Sequence, residues 1–194
     1  NNRQQRSGGA VNIVLRNIPN FLTALRLAAA PALAMLLLEG HNKEALIVFV
    51  VAGLTDVADG WLAKRFGLAT KFGRYLDPAA DKLLMLASFL VLTYLHVTPL
   101  WLTILVIFRD VAIVLGIAVA RLWEMPVRAA PSLLGKISTA VQVVYVGLTL
   151  LLMSFAIGRA ALTRFAEFAT AGFTFASGLG YAQLWLRAAF HRRR

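Results

Sequence analysis

A chain of 194 residues that is 59% hydrophobic and only 15% charged, with a mean hydropathy of +0.71, is not built as an ordinary water-soluble domain, which carries about 45–50% apolar and about 25% charged residues. A helix needs about 20 apolar residues to cross a bilayer, so this length admits six or seven crossings and no sizeable soluble domain beside them. The net charge of +11 would suit nucleic acid in a soluble protein, but the cations gather at the ends of apolar segments, which points to anionic lipid headgroups and to no nucleic-acid partner. The lack of cysteine excludes disulfides and thiolate metal sites.

In chain order, residues 1–10 are polar and read as a vector-derived remnant or a frayed tail, and 11–194 as a single membrane domain. A short interfacial helix is expected around Val11 to Pro19. Six apolar runs bounded by charge or by Gly/Pro clusters then predict helices over 21–38, 44–63, 77–95, 100–122, 133–155 and 162–186. Pro31 is expected to kink the first, which neighbouring helices tolerate in lipid. None shows the alternation of a membrane barrel strand, so the expected fold is all-α, an integral membrane bundle of six transmembrane helices. With the N-terminus inside, fourteen Lys and Arg residues fall on the inner side, Lys64, Arg65, Lys71, Arg74 and the Arg192 to Arg194 tail among them. Only Lys43, Arg159 and Arg164 fall outside. That imbalance predicts both termini on the cytoplasmic side. Arg26, Lys82 and Arg109 lie within the apolar segments or at their edges and need another explanation.

Four of the nine acidic residues cluster in one stretch. Asp56 and Asp59 are three apart near the inner end of the second helix, and Asp77 and Asp81 are four apart at the start of the third. Those spacings put each pair on one helical face, and antiparallel return of the two helices brings all four together. In an apolar setting they would repel one another and take up protons unless cations held them. All-oxygen ligation suits Mg²⁺, Mn²⁺ or Ca²⁺ rather than zinc, and His41, His96 and His191 fall in loops or at the tail. A plainer reading pairs the aspartates with Lys64, Arg65, Arg74 or Lys82 in interfacial salt bridges. Gly60, Ala63 and Gly73 put small residues on the same faces, so a bulky ligand can reach the backbone, although close helix packing would also use them. With Lys64 and Arg65 alongside, the combination suits a diphosphate.

The stretch Asp56-Val-Ala-Asp59-Gly60-Trp-Leu-Ala63-Lys64, eight residues, then Gly73-Arg-Tyr-Leu-Asp77-Pro-Ala-Ala-Asp81 resembles the signature of the CDP-alcohol phosphotransferases, D-x2-D-G-x2-A-R-x8-G-x3-D-x3-D. The one departure is Lys64 in place of Arg, which keeps the charge and loses the bidentate phosphate geometry. The resemblance runs from Asn17 to about Leu152. Asn17 to Arg26 is similar to the amphipathic approach and first helix of members that make phosphatidylglycerophosphate or cardiolipin. Ala52 to Asp56, Phe108-Arg109-Asp110-Val111 and Pro131 to Gln142 most resemble the CMP-forming cardiolipin synthases, while Gly135-Lys136 is also similar to phosphatidylglycerophosphate synthases.

The resemblance implies a six-helix membrane enzyme, usually a homodimer, with two Mg²⁺ or Mn²⁺ ions. Its site would face the bacterial cytoplasm, or the matrix if the chain sits in the mitochondrial inner membrane. By position, Asp56, Asp59, Asp77 and Asp81 would ligate metal, Asp81 would also act as general base, and Gly60, Ala63, Lys64 and Gly73 would line the CDP site. The implied reaction moves a phosphatidyl group from CDP-diacylglycerol to phosphatidylglycerol, giving cardiolipin and CMP; the alternative acceptor is glycerol 3-phosphate. Either is an anionic, glycerol-containing acceptor, for which Arg109 and Lys136 are the candidate contacts. Against that, Arg109 could simply pair with Asp110, and Lys136 could cap a helix or snorkel to the interface. A divalent-cation transporter could also set aspartates between helices, but it would not need the Gly60, Ala63 and Gly73 spacing. A non-catalytic scaffold gives no reason for four paired aspartates.

Overall fold

The protein is described from a computed structural model, over residues 22–66, 73–122, 133–156 and 160–191, with the side chains of 59–66, 73–79, 120–121, 160 and 184–191 outside that description. The described residues form six helices and no strands: α1 (Leu22–Leu38), α2 (Asn42–Phe66), α3 (Gly73–Tyr94), α4 (Leu100–Leu122), α5 (Leu133–Ser154) and α6 (Ala160–His191). The all-α expectation holds, and each helix overlaps one predicted run. The expected interfacial helix around Val11 to Pro19 lies outside the described residues, as do residues 1–10. Among the described residues two helices, over Leu100–Val119 and Leu133–Ser154, are long and apolar enough to cross a membrane by length and composition.

Boundaries differ from the hydropathy reading where charges sit inside a helix. α6 extends to both sides of the predicted 162–186; at its C-terminal end Arg187 closes the apolar run without removing a backbone hydrogen bond. α3 begins a turn before Asp77, at Gly73, and continues through Pro78. α1 runs unbroken through Pro31. It ends on Gly40, whose φ of 81° is left-handed. Gly40 N–H donates to the Leu37 carbonyl (3.1 Å) and His41 N–H to that of Leu36 (2.8 Å), so a glycine-terminated cap satisfies the last carbonyls and turns the chain into α2.

The chain divides into two compact units, Asn1–Leu92 and Thr93–Arg194. In the first, α1 buries Thr23, Arg26, Ala30, Leu33 and Leu37, a 3,4,3,4 stripe on one face. α2 buries Ala45, Phe49 and Ala52, and α3 buries Ala80, Leu84, Ser88, Phe89 and Leu92. Continuing the α2 stripe by four residues reaches Asp56, and stepping back three from Leu84 reaches Asp81. Both aspartates therefore lie on or beside the faces their helices use for packing. A groove of about 400 Å³ lies between α1 and α2, walled by Leu25, Ala28, Ala32, Ile47, Val51 and Ala52, with Arg26 and Thr55 also lining it.

In the second unit, α6 packs against both α4 and α5. α5 buries Gly135, Ser138, Gln142, Tyr145, Thr149 and Leu152 at 3,4,3,4,3 spacing, the pattern of a shallow, coiled-coil-like crossing. The interior is unusually polar. Gln142 Nε2 donates to Thr174 Oγ1 (3.1 Å), Ser138 Oγ to the same oxygen (3.4 Å), and Tyr145 and Thr98 share a hydroxyl contact of 3.0 Å. Phe108, Val114, Phe165 and Phe168 meanwhile lie exposed. A polar inside and an apolar outside fit a chain whose solvent is lipid.

Candidate functional site

The two described aspartates of the quartet meet at one cation. Arg26 Nη1 lies 2.8 Å from Asp56 Oδ1 and 2.8 Å from Asp81 Oδ1, so those two oxygens are no more than twice that distance apart. The burial is unequal. The Arg26 side chain is 1% exposed, whereas those of Asp56 and Asp81 are 46% and 44% exposed. The guanidinium sits behind the carboxylates, which present their other sides outward. The one guanidinium thus serves two carboxylates that approach it from two helices. The plainer expectation, pairing with Lys64, Arg65, Arg74 or Lys82, did not include this partner.

Asp59, Gly60, Ala63 and Lys64 belong to α2, and Gly73 and Asp77 to the first turns of α3; their side chains lie outside the described residues. Gly73, Asp77 and Asp81 follow one another at four-residue steps, so they occupy one face of α3. Among the described residues no group of three or more potential metal ligands is present. The described donor set is two carboxylates on two helices, oxygen donors of the type that hard divalent ions take. Half-exposed carboxylates with a buried cation behind them fit such an ion.

Arg109 occupies a different setting, in the second unit. It is 6% exposed, and its guanidinium donates to Ser177 Oγ through Nε (3.2 Å) and Nη2 (2.7 Å), to the Gly135 carbonyl (3.3 Å) and to Asp110 Oδ1 (2.7 Å). Of its five N–H donors most are spent tying α4 to α5 and α6, and the simple pairing with Asp110 is present. Lys136, one residue beyond Gly135, is exposed.

Sequence reasoning left Arg26 as an unexplained cation within an apolar run. The signal that could have placed it is its position on the 23, 26, 30, 33, 37 stripe: a charge on a helix's packing face needs an opposite charge from a neighbouring helix.

Residues 16–181 match the family described as CDP-alcohol phosphatidyltransferase. A probable phosphatidylglycerophosphate synthase of Mycobacterium tuberculosis is 38% identical over 147 residues, 72% of this chain and 68% of that one. A probable CMP-forming cardiolipin synthase of Drosophila melanogaster is 35% identical over 152 residues, 70% of this chain and 47% of that one. The human CMP-forming cardiolipin synthase is 34% identical over 149 residues, 69% of this chain and 50% of that one. This chain thus spans about half the length of the fly and human proteins.

Proposed function

The chain belongs to the CDP-alcohol phosphatidyltransferase family, and from that premise we propose that it transfers a phosphatidyl group from CDP-diacylglycerol to the hydroxyl of phosphatidylglycerol, giving cardiolipin and CMP. The observation that carries the reaction is the meeting of Asp56 and Asp81 at Arg26, where two helices present half-exposed carboxylates from the signature stretch. Residues 11–194 act as one membrane domain of six crossings, as a homodimer, in a bacterial cytoplasmic membrane or a mitochondrial inner membrane with the site on the cytoplasmic or matrix side. α2, α3 and α6, of 25, 22 and 32 residues, are long enough to cross at 1.5 Å per residue.

Asp56, Asp59, Asp77 and Asp81 hold two Mg²⁺ or Mn²⁺ ions, which when bound neutralise charge on the diphosphate and on the departing CMP. Lys64 contacts a phosphate, and the small positions Gly60, Ala63 and Gly73 leave room for the nucleotide. The acceptor hydroxyl attacks the lipid-bearing phosphorus, a new P–O ester bond forms as the bond to CMP breaks, and the hydroxyl proton passes to Asp81. Lys136 meets the acceptor's phosphate, while Arg109 holds the helices that present it. The groove along Ala28, Ala32 and Ala52 offers an apolar bed for an acyl chain.

Phosphatidylglycerol is preferred because the stretches Phe108 to Val111 and Pro131 to Gln142 most resemble the cardiolipin branch. Glycerol 3-phosphate is the second reading, favoured by the 38% identity to the mycobacterial relative. Purified protein with Mg²⁺ or Mn²⁺ and CDP-diacylglycerol should release CMP much faster with phosphatidylglycerol than with glycerol 3-phosphate. Thin-layer detection of phosphatidylglycerophosphate without cardiolipin would overturn the acceptor and leave the reaction class standing.

A further inference from the structure

We propose that Arg26 is a positioning residue for the metal ligands: from α1, a helix that carries no carboxylate of the signature, it fixes the orientation of Asp56 and Asp81 and so sets the affinity of the site for a divalent ion. The inference rests on the reading of those two aspartates as ligands.

Three observations carry it. A single nitrogen, Arg26 Nη1, contacts Oδ1 of both aspartates at 2.8 Å, so one group constrains two carboxylates on two different helices. The contact comes from the buried side, with the arginine 1% exposed and the aspartates nearly half exposed. A carboxylate offers about four acceptor positions, so a hydrogen bond from behind at Oδ1 is compatible with ligation from in front. Finally, Arg26 lies on the same α1 stripe as Ala30, Leu33 and Leu37, which packing holds in place. A cation on a rigid core face is suited to orienting ligands, and less suited to following a moving substrate. Without it, two like charges drawn together by α2 and α3 would turn away from each other, and an ion would have to gather them as it bound. A purely electrostatic role predicts the opposite sign, since removing a positive charge beside a cation site should tighten binding.

The test is a Mn²⁺ titration of the 194-residue chain in detergent, followed by electron paramagnetic resonance. Arg26→Gln should weaken Mn²⁺ binding by about 10- to 100-fold, the usual range for loss of a residue that orients a metal ligand, and Arg26→Lys should recover part of that loss. Turnover of Arg26→Gln should return as Mn²⁺ is raised, with KM for CDP-diacylglycerol little changed. Unchanged or tighter binding in Arg26→Gln, or a turnover loss that excess Mn²⁺ does not relieve, overturns the inference. If Arg26→Gln does not fold, Arg26→Lys carries the test alone, since its single ammonium should bind both carboxylates less well and weaken Mn²⁺ several-fold; wild-type affinity there overturns it. Absence of Mn²⁺ binding by the wild type, or undiminished binding by Asp56→Asn, would instead sink the metal reading on which the inference stands.

Discussion

Asp81→Asn keeps an Oδ1 acceptor for the Arg26 guanidinium, 2.8 Å away in the native chain, and removes the group that can take a proton. Single-turnover measurements should therefore show chemistry slowed by about 10²- to 10⁴-fold with Mn²⁺ and CDP-diacylglycerol affinity much less affected. Asp59→Asn should lose metal affinity as well. Equal loss of affinity in the two would mean that Asp81 is chiefly a ligand and the base lies elsewhere. Ser177 poses a simpler question, because its hydroxyl receives two of the guanidinium contacts of the buried Arg109. Ser177→Ala should lower stability by about 1–3 kcal/mol through an underserved buried charge, read as a lower midpoint of unfolding in detergent. Asp56 and Asp81 could be singled out because each stands at a local spacing, three or four residues, from a second aspartate on its own helix. Arg26 could not be, since its contact with Asp81 spans 55 residues and depends on how α1 packs.

At the scale of the helices, α5 and α6 are joined by Ser138, Gln142 and Thr174, with both contacts ending on Thr174 Oγ1. Interhelical hydrogen bonds in membrane proteins average only about 0.6 kcal/mol in double-mutant cycles. Gln142→Leu and Thr174→Val should each lower stability by about that much, and the double variant by less than their sum; full additivity in an unfolding titration would show that the pair is not coupled. The existence and type of these elements were plain from the sequence. α4 matches its predicted span of 100–122 at both ends, where Pro99 precedes it and nothing charged interrupts its first turns. The ends of α6 were hidden because hydropathy marks where a helix is apolar and not where its hydrogen bonds stop. α3 likewise begins at Gly73, a turn before the predicted start at 77, and runs through Pro78.

For the whole molecule, the excess of inner cations in the sequence predicts that the α1–α2 turn with His41, and likewise the α3–α4 turn with His96, is accessible from outside the membrane. Single cysteines at 41 and 96 in intact cells should react with an impermeant maleimide added outside. Protection of either, with labelling only after the membrane is opened, would reverse the topology. The inverted layering of the second unit also fixes how tolerance to substitution is distributed along the sequence. At Phe108, Val114 and Phe165, which are exposed, any hydrocarbon side chain should serve, so leucine, isoleucine and phenylalanine should interchange freely and aspartate should fail. At Ser138, Thr170 and Ser177, all within 1% of full burial, the tolerated set should shrink to small hydroxyl-bearing residues and glycine or alanine, with leucine excluded by size. A saturation library selected for function would then give a profile that is the photographic negative of a soluble enzyme's, greasy and permissive outside, polar and exacting within.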